Sequence, residues 1–321
     1  MIFEKQIKKM YRSQVFGRCD DTGNVFYFSA DDFDGLKKEP FAFTSAQGNK
    51  LQGYFYSYEN SNPDRLIVFD HGYGGGHKAY MKEIEMLCRH GFKVFSYDHT
   101  GCMESQGEST RGLLQSLSDL NDCISALKET ERCGSRDISV MGHSWGGFST
   151  LNIASFHKEI SHIIVLSGFI SIEKMIEQNF SGILKGYRKC ILEIEKETNP
   201  RYFSCNAIDA LSNTDAKTLL IYSSNDKRVS KKIHFDAMKE ALKDKKNIRF
   251  LLVDGREHNP NYTADAIGYM NGFFSQLTKN LNAKKLRTPQ EKEAFVKSFD
   301  WHRMTAQDEN IWEEIFETLD S

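Results

Sequence analysis

Apolar residues in this chain fall into two rhythms. Short continuous runs occur at 66–69, 92–98, 138–141, 162–168 and 218–222, and another opens the stretch 247–259. Runs of that length predict strands buried on both faces. Between them, apolar residues recur at helical spacing over 79–90, 111–132, 145–157 and 261–282. In 111–132 the stripe is Leu113, Leu114, Leu117, Leu120, Cys123, Ile124 and Leu127. Residues 41–58 alternate instead, about a Gln47-Gly48-Asn49 turn signal, and predict a β-hairpin. Strands alternating with helices predict an α/β fold: a mostly parallel central sheet with helices on both faces.

The alternation breaks at 169–215, which holds two helix-like stretches and no buried run. An insertion of that length in a domain is usually functional. It is expected to form a helical lid, with Met175, Ile176, Phe180, Ile183, Leu184, Tyr187 and Leu192 available to face downward. Met175 and Phe180 are its expected substrate contacts. The core is then 41–168 with 216–282. Residues 1–40 form an N-terminal extension packed on it, and 283–321 a C-terminal helical extension; neither is assigned chemistry.

Composition narrows the class. The chain has 321 residues, 40% hydrophobic and 27% charged, as in ordinary globular proteins. A formal net charge of -2 provides no field to draw nucleic acid. No apolar run approaches the roughly 20 residues of a membrane span. The first residues lack the apolar core of a signal peptide. Seven cysteines, odd in number and without C-x-x-C spacing, argue against a disulfide framework or zinc site and for a cytoplasmic protein. Oligomeric state is not legible.

The chemistry concentrates after the strands. Gly142-His143-Ser144-Trp145-Gly146 follows an apolar run and opens a helix. A G-x-S-x-G turn between strand and helix holds its serine at a strained angle, exposed at the top of a sheet. His71-Gly72-Tyr73-Gly74-Gly75-Gly76 ends an earlier strand. It lacks the phosphate-loop pattern and suits an oxyanion loop, with Tyr73 N–H beside Trp145 N–H. Gly74 and His143, flanking these donors, are expected to border the substrate. His71 and His77 have no acidic or cysteine partner at ligand spacing, so no metal and no cofactor is expected.

A serine hydroxyl needs a base, and the base needs a carboxylate to orient it. His258 follows the last strand, and Asp226 follows the one before it, in a polar turn. Asp254 is the rival acid, but it lies only four residues from His258. His234 and His302 fall on helix-like segments. Asp98 and Glu104 are expected to hold their own loop.

Four patterns in order carry a resemblance: HGYGG at 71–75, Asp98, Gly101 and Ser105 in one loop, GHSWGG at 142–147, and Asp226 with His258. The chain resembles the α/β-hydrolase superfamily, in the branch of serine aminopeptidase-like hydrolases, monoacylglycerol lipases and cinnamoyl esterases. That resemblance implies a lid before the acid-bearing strand, where 169–215 lies. The chain departs from the branch at Thr100, Cys102 and Met103, where relatives often read D-x-R-G-H-G-x-S. The expected activity is a serine carboxylesterase on small or medium acyl esters, without cofactor. A peptidase using Glu173 and Glu177 to hold an amine, a thioesterase or acyltransferase, and a non-catalytic binding protein are the alternatives.

Overall fold

The computed structural model describes residues 3–130 and 137–321. The end of the predicted helix 111–132 and Cys133 lie outside the described residues. Eight strands form one sheet: β1 (Lys37–Thr44), β2 (Lys50–Ser57), β3 (Asn62–Asp70), β4 (Phe92–Tyr97), β5 (Asp137–His143), β6 (His162–Leu166), β7 (Lys217–Ser223) and β8 (Ile248–Val253). Their order is β1-β2-β4-β3-β5-β6-β7-β8. The hairpin β1–β2 is antiparallel and joins β4 antiparallel; every pairing from β4 to β8 is parallel. The central strands are buried along most of their length, as continuous apolar runs require.

Among the described residues, twelve α-helices connect and cover the sheet. They are α1 (Glu4–Val15), α2 (Met81–Arg89), α3 (Gln115–Glu129), α4 (Trp145–Asn152), α5 (Ile172–Asn179) and α6 (Arg188–Thr198), followed by α7 (Ala207–Ser212), α8 (Asp236–Ala241), α9 (Ala264–Asn282), α10 (Pro289–Lys297), α11 (Trp301–Met304) and α12 (Glu309–Leu319). One apolar core gathers Leu117 and Leu120 of α3, Phe148 of α4, and Ile176 and Ile191 of the 169–215 insertion. The other gathers Ile84 and Leu87 of α2, Trp312 and Ile315 of α12, and Phe28 and Phe33 of the N-terminal segment. A satellite cluster joins α9 to α10 and α11 through Phe273, Leu277 and Met304.

Helix α1 lies on α6. The Tyr11 hydroxyl donates to Glu195 Oε1 at 2.5 Å, and the Leu113 and Leu114 amides donate to the same carboxylate. Burial pushes the Glu195 carboxyl up, against the opposing pull of those donors. No helix among the described residues is long and apolar enough to cross a membrane.

Candidate active site

Ser144 sits where β5 turns into α4, with φ 57° and ψ −108°. Such an angle is costly for a residue with a side chain and persists only when its surroundings impose it. Here the Ser144 amide donates to Leu166 O at 2.9 Å, tying the turn to β6. A Cβ at Gly146 would stand 2.1 Å from Asp70 O, and one at Gly142 would stand 2.3 Å from Thr150 Oγ1. The turn therefore closes only with glycine on both sides of the serine.

The structure brings Ser144, His258 and Asp226 into one line. Ser144 Oγ lies 2.8 Å from His258 Nε2, and His258 Nδ1 lies 2.7 Å from Asp226 Oδ2. The other carboxylate oxygen of Asp226 accepts from the amides of Arg228 (2.7 Å) and Val229 (3.0 Å). Burial alone would raise the Asp226 carboxyl; the His258 contact and these amides outweigh it and hold it low. An ionised carboxylate on Nδ1 leaves Nε2 free to accept the serine proton. Asp254 is exposed and plays no part in this line.

Two loops carry the acid and the histidine, and they are laced together. Asn225 Oδ1 accepts from Ser223 Oγ (2.8 Å) and from the Glu257 amide (2.9 Å). Ser223 Oγ in turn accepts from the Arg256 amide at 3.0 Å. The Arg256 guanidinium pairs with Asp308 at 3.0 Å, just before α12. The C-terminal segment thus holds the histidine loop in place.

His143 is buried. Its Nε2–H donates to His258 O at 2.8 Å, and its Nδ1 accepts from the Tyr80 hydroxyl at 2.7 Å. That hydroxyl accepts from the Gly72 amide at 3.0 Å. Burial pushes His143 down to about 3, so it is neutral and both ring nitrogens have defined roles. The chain Gly72–Tyr80–His143–His258 ties the glycine loop to the histidine loop. Tyr80 was not legible as part of the site, because it reads as one more apolar position of the α2 stripe.

The Tyr73 and Trp145 amides, expected as oxyanion donors, belong to the glycine loop and to the first residue of α4. The Tyr73 ring stands edge-on to Trp145 at 5.3 Å. Tyr73, Gly74, His143, Ser144 and His258 all border one cleft of about 430 Å³, within the usual range for a small-molecule site.

Met175 and Phe180 do not border that cleft. They are 8% and 6% exposed and belong to the core under the insertion. The Phe180 ring packs edge-on against Tyr11 of α1 at 6.2 Å. Tyr11 of α1 thus packs on Phe180 within that core. The apolar walls come instead from the N-terminal segment, from α9 and from the start of α11. Phe26, Tyr27 and Phe28 stand on one side, and Met270, Phe274 and Trp301 on another. A trace of this was present in the aromatic run 26–28 within a polar segment.

Buried charge supports the floor. Asp98 Oδ1 accepts from the His77 amide and from His77 Nδ1, both at 2.8 Å. Burial raises the Asp98 carboxyl, but His77 dominates and holds it at about 2. His99 stands 3.0 Å from Asp70 and 3.3 Å from Asp119. Burial would neutralise His99; the two carboxylates outweigh it and hold the ring charged, at about 10. Among the described residues no group of three His, Cys, Asp or Glu is placed to hold a metal ion.

A mostly parallel sheet, a serine on a strained turn between strand and helix, and an acid and a histidine after the last two strands define an α/β hydrolase. The chain belongs to the serine aminopeptidase, S33 family, whose model matches residues 61–250. It is 25% identical over 138 residues to polyketide transferase grgF of a Penicillium species, covering 42% of this chain and 46% of that one. It is 29% identical over 116 residues to cutinase 2 of Thermobifida cellulosilytica, covering 36% and 44%. The chain thus spans less than half the length of these curated relatives. Among solved structures it superposes on an esterase of Pyrococcus furiosus with a TM-score of 0.59, at 19% identity, over 84% of this chain and 96% of that one. At that identity the likeness is one of fold.

Proposed function

We propose that the chain is a serine carboxylesterase that cleaves small or medium acyl esters through an acyl-enzyme on Ser144. The observation that carries this reading is the unbroken hydrogen-bonded line from Ser144 Oγ through His258 to Asp226. In the first half-reaction His258 Nε2 takes the serine proton as Oγ attacks the ester carbonyl. The Tyr73 and Trp145 amides hold the resulting oxyanion. His258 then hands its proton to the departing alcohol, and water repeats the sequence on the acyl-enzyme. Asp226 keeps the imidazole in the required tautomer. No step calls for a metal or an organic cofactor.

The likeness to a cutinase supports ester substrates. The aromatic cleft supports an apolar acyl or alcohol group. Acyl transfer to an alcohol in place of water is the second reading, supported by the relative named a polyketide transferase. The peptidase reading has less support. Glu177 pairs with Lys174 on the surface, and neither Glu173 nor Glu177 borders the cleft. Glu257 does border it, but its carboxylate accepts from Asn271. We place the protein in the cytoplasm, because its seven cysteines, odd in number and without C-x-x-C spacing, do not read as a disulfide framework.

The test is turnover of p-nitrophenyl butyrate by the wild type and by Ser144→Ala of matched melting temperature. A loss of kcat of about 10⁴-fold or more is expected. Equal rates in the two proteins would remove Ser144 from the reaction.

A further inference from the structure

Cys19 and Cys102 lie far apart in sequence and side by side in space. Cys19 follows α1, in the segment that runs on to the cleft wall at Phe26–Phe28. Its amide donates to Gly101 O and its carbonyl accepts from the Met103 amide, both at 2.9 Å. These two bonds make a parallel bridge with Cys19 directly opposite Cys102. Neighbouring strands lie about 4.8 Å apart. That spacing falls inside the range of Cα separations, about 4.4–6.8 Å, that a disulfide spans. Paired residues of a bridge also send their side chains to the same face. Arg18 fastens the same junction, donating to Met103 O (2.6 Å), Ser105 O (3.0 Å) and Gly107 O (2.6 Å).

The two thiols are chemically unequal. Cys102 is fully buried, and Cys19 is half-buried. The neighbouring Cys102 thiol first of all pulls Cys19 below its ordinary value, against the effect of burial. The Tyr73 hydroxyl and the Gly74 amide pull it down further. The same contact with Cys19, together with burial, pushes Cys102 up. Such a pair has one reachable nucleophile and one protected resolving thiol. Neither the hydrolytic line nor the cleft wall uses either sulfur.

We propose that Cys19 and Cys102 are a reversible dithiol–disulfide pair, oxidised by low-molecular-weight disulfides, that crosslinks the N-terminal arm to the loop after β4. The Cys19 thiolate attacks one sulfur of the small disulfide. A mixed disulfide forms on Cys19, and the first small thiolate leaves. Cys102 then loses its proton to that thiolate or to water and attacks the Cys19 sulfur. The protein disulfide forms, and the second small thiolate leaves. The protein loses two electrons and two protons, and the small disulfide gains them as two thiols. Transient disulfides of this kind suit a protein placed in the cytoplasm. The crosslink also withdraws the Cys19 sulfur from Gly74 and Tyr73, on the glycine loop beside Ser144. The inference stands apart from the esterase reading, because its primary readout is covalent.

The test treats the full chain with oxidised glutathione at pH 7.5, alkylates the remaining thiols and maps peptides without reduction. The expected product joins the Cys19 and Cys102 peptides, is reversed by dithiothreitol, and melts about 4 °C or more above the reduced form. Cys102→Ser is expected to stop at a glutathione adduct on Cys19. Alkylation of Cys19 and Cys102 to the same extent as in the untreated protein would overturn the proposal. So would a stable glutathione adduct on Cys19 in the wild type, or a crosslink that joins Cys19 to any other cysteine.

Discussion

The 169–215 insertion and the two ends of the chain both lie outside the sheet, and both are built from amphipathic helices. They bury their apolar faces in opposite ways. Ile172, Ile176, Ile191 and Ile194 of the insertion are spent against α3, α4 and Tyr11, so this segment is scaffold on its inward side. At the ends of the chain, and on the adjoining α9, part of the apolar surface is left unspent. Trp312 and Ile315 are buried under β7 and β6, yet Phe274 stays 45% exposed and Trp301 half-buried at the cleft. An apolar side chain that no neighbour covers, next to a reactive serine, is available to a substrate. Position in the chain does not decide which segment becomes a binding wall; what already covers its apolar face does.

Paired truncations separate the two roles. Phe180→Ala removes a buried ring and should lower stability by about 3–5 kcal/mol, read as a shift of the urea midpoint. KM for p-nitrophenyl hexanoate should not change in the fraction that stays folded. Phe274→Ala removes a ring that is nearly half in water, so its stability change should stay within about 0.5 kcal/mol. Its KM for the same ester should rise several-fold, and more for hexanoate than for acetate. If Phe180→Ala changed the chain-length preference and Phe274→Ala did not, the insertion would be the wall after all.

Arg256→Gln probes the reach of the C-terminal segment into the chemistry. The Arg256–Asp308 pair is only partly exposed, and it holds the loop that carries His258. Losing it should cost about 1 kcal/mol of stability. Because a misplaced base costs rate rather than binding, kcat should fall several-fold with KM little changed. A matching loss in KM alone would make the pair part of the cleft and not a brace for the histidine.

The sheet and the elbow could be read from the sequence because each rests on local chemistry. Continuous apolar runs need two covered faces, and Gly142 answers to Gly146 and Thr150 a few residues on, although Gly146 itself answers to Asp70 at the end of β3. Ser144, Asp226 and His258 followed from chain order and from their places after strands. The walls of the cleft depend on longer reach. Whether Phe180 faces substrate depends on Tyr11, which lies on a helix at the other end of the chain and whose hydroxyl is held by Glu195. No periodicity within 169–215 encodes that cover. The brace Gly72–Tyr80–His143 was hidden for a related reason. A tyrosine in an apolar stripe reads the same whether its hydroxyl is idle or holds a histidine.

The smallest effects separate the two regions by the sign of their pH response. Glu195 belongs to the insertion, and burial holds its carboxyl above the ordinary value. Its folded form binds a proton more tightly than the unfolded chain, whose glutamates titrate near 4.3. Its contribution to stability is therefore full below about pH 4.3 and is lost as pH rises through the folded value. Asp320 follows α12; burial raises it, but His90 at 2.9 Å and Arg65 together outweigh that and hold it low. Its contribution is present above about pH 3.9 and is lost as pH falls through its lowered value. It is worth under about 1 kcal/mol, because the pair is solvent-exposed. Melting curves at half-unit pH steps should show Glu195→Gln gaining on the wild type as pH rises from 4 to 7. Asp320→Asn should lose its small deficit as pH falls from 5 to 3. Parallel slopes in the two variants would mean that the insertion's carboxylate is as well solvated as the one at the C-terminus, and would dissolve the contrast between a covered segment and an open one.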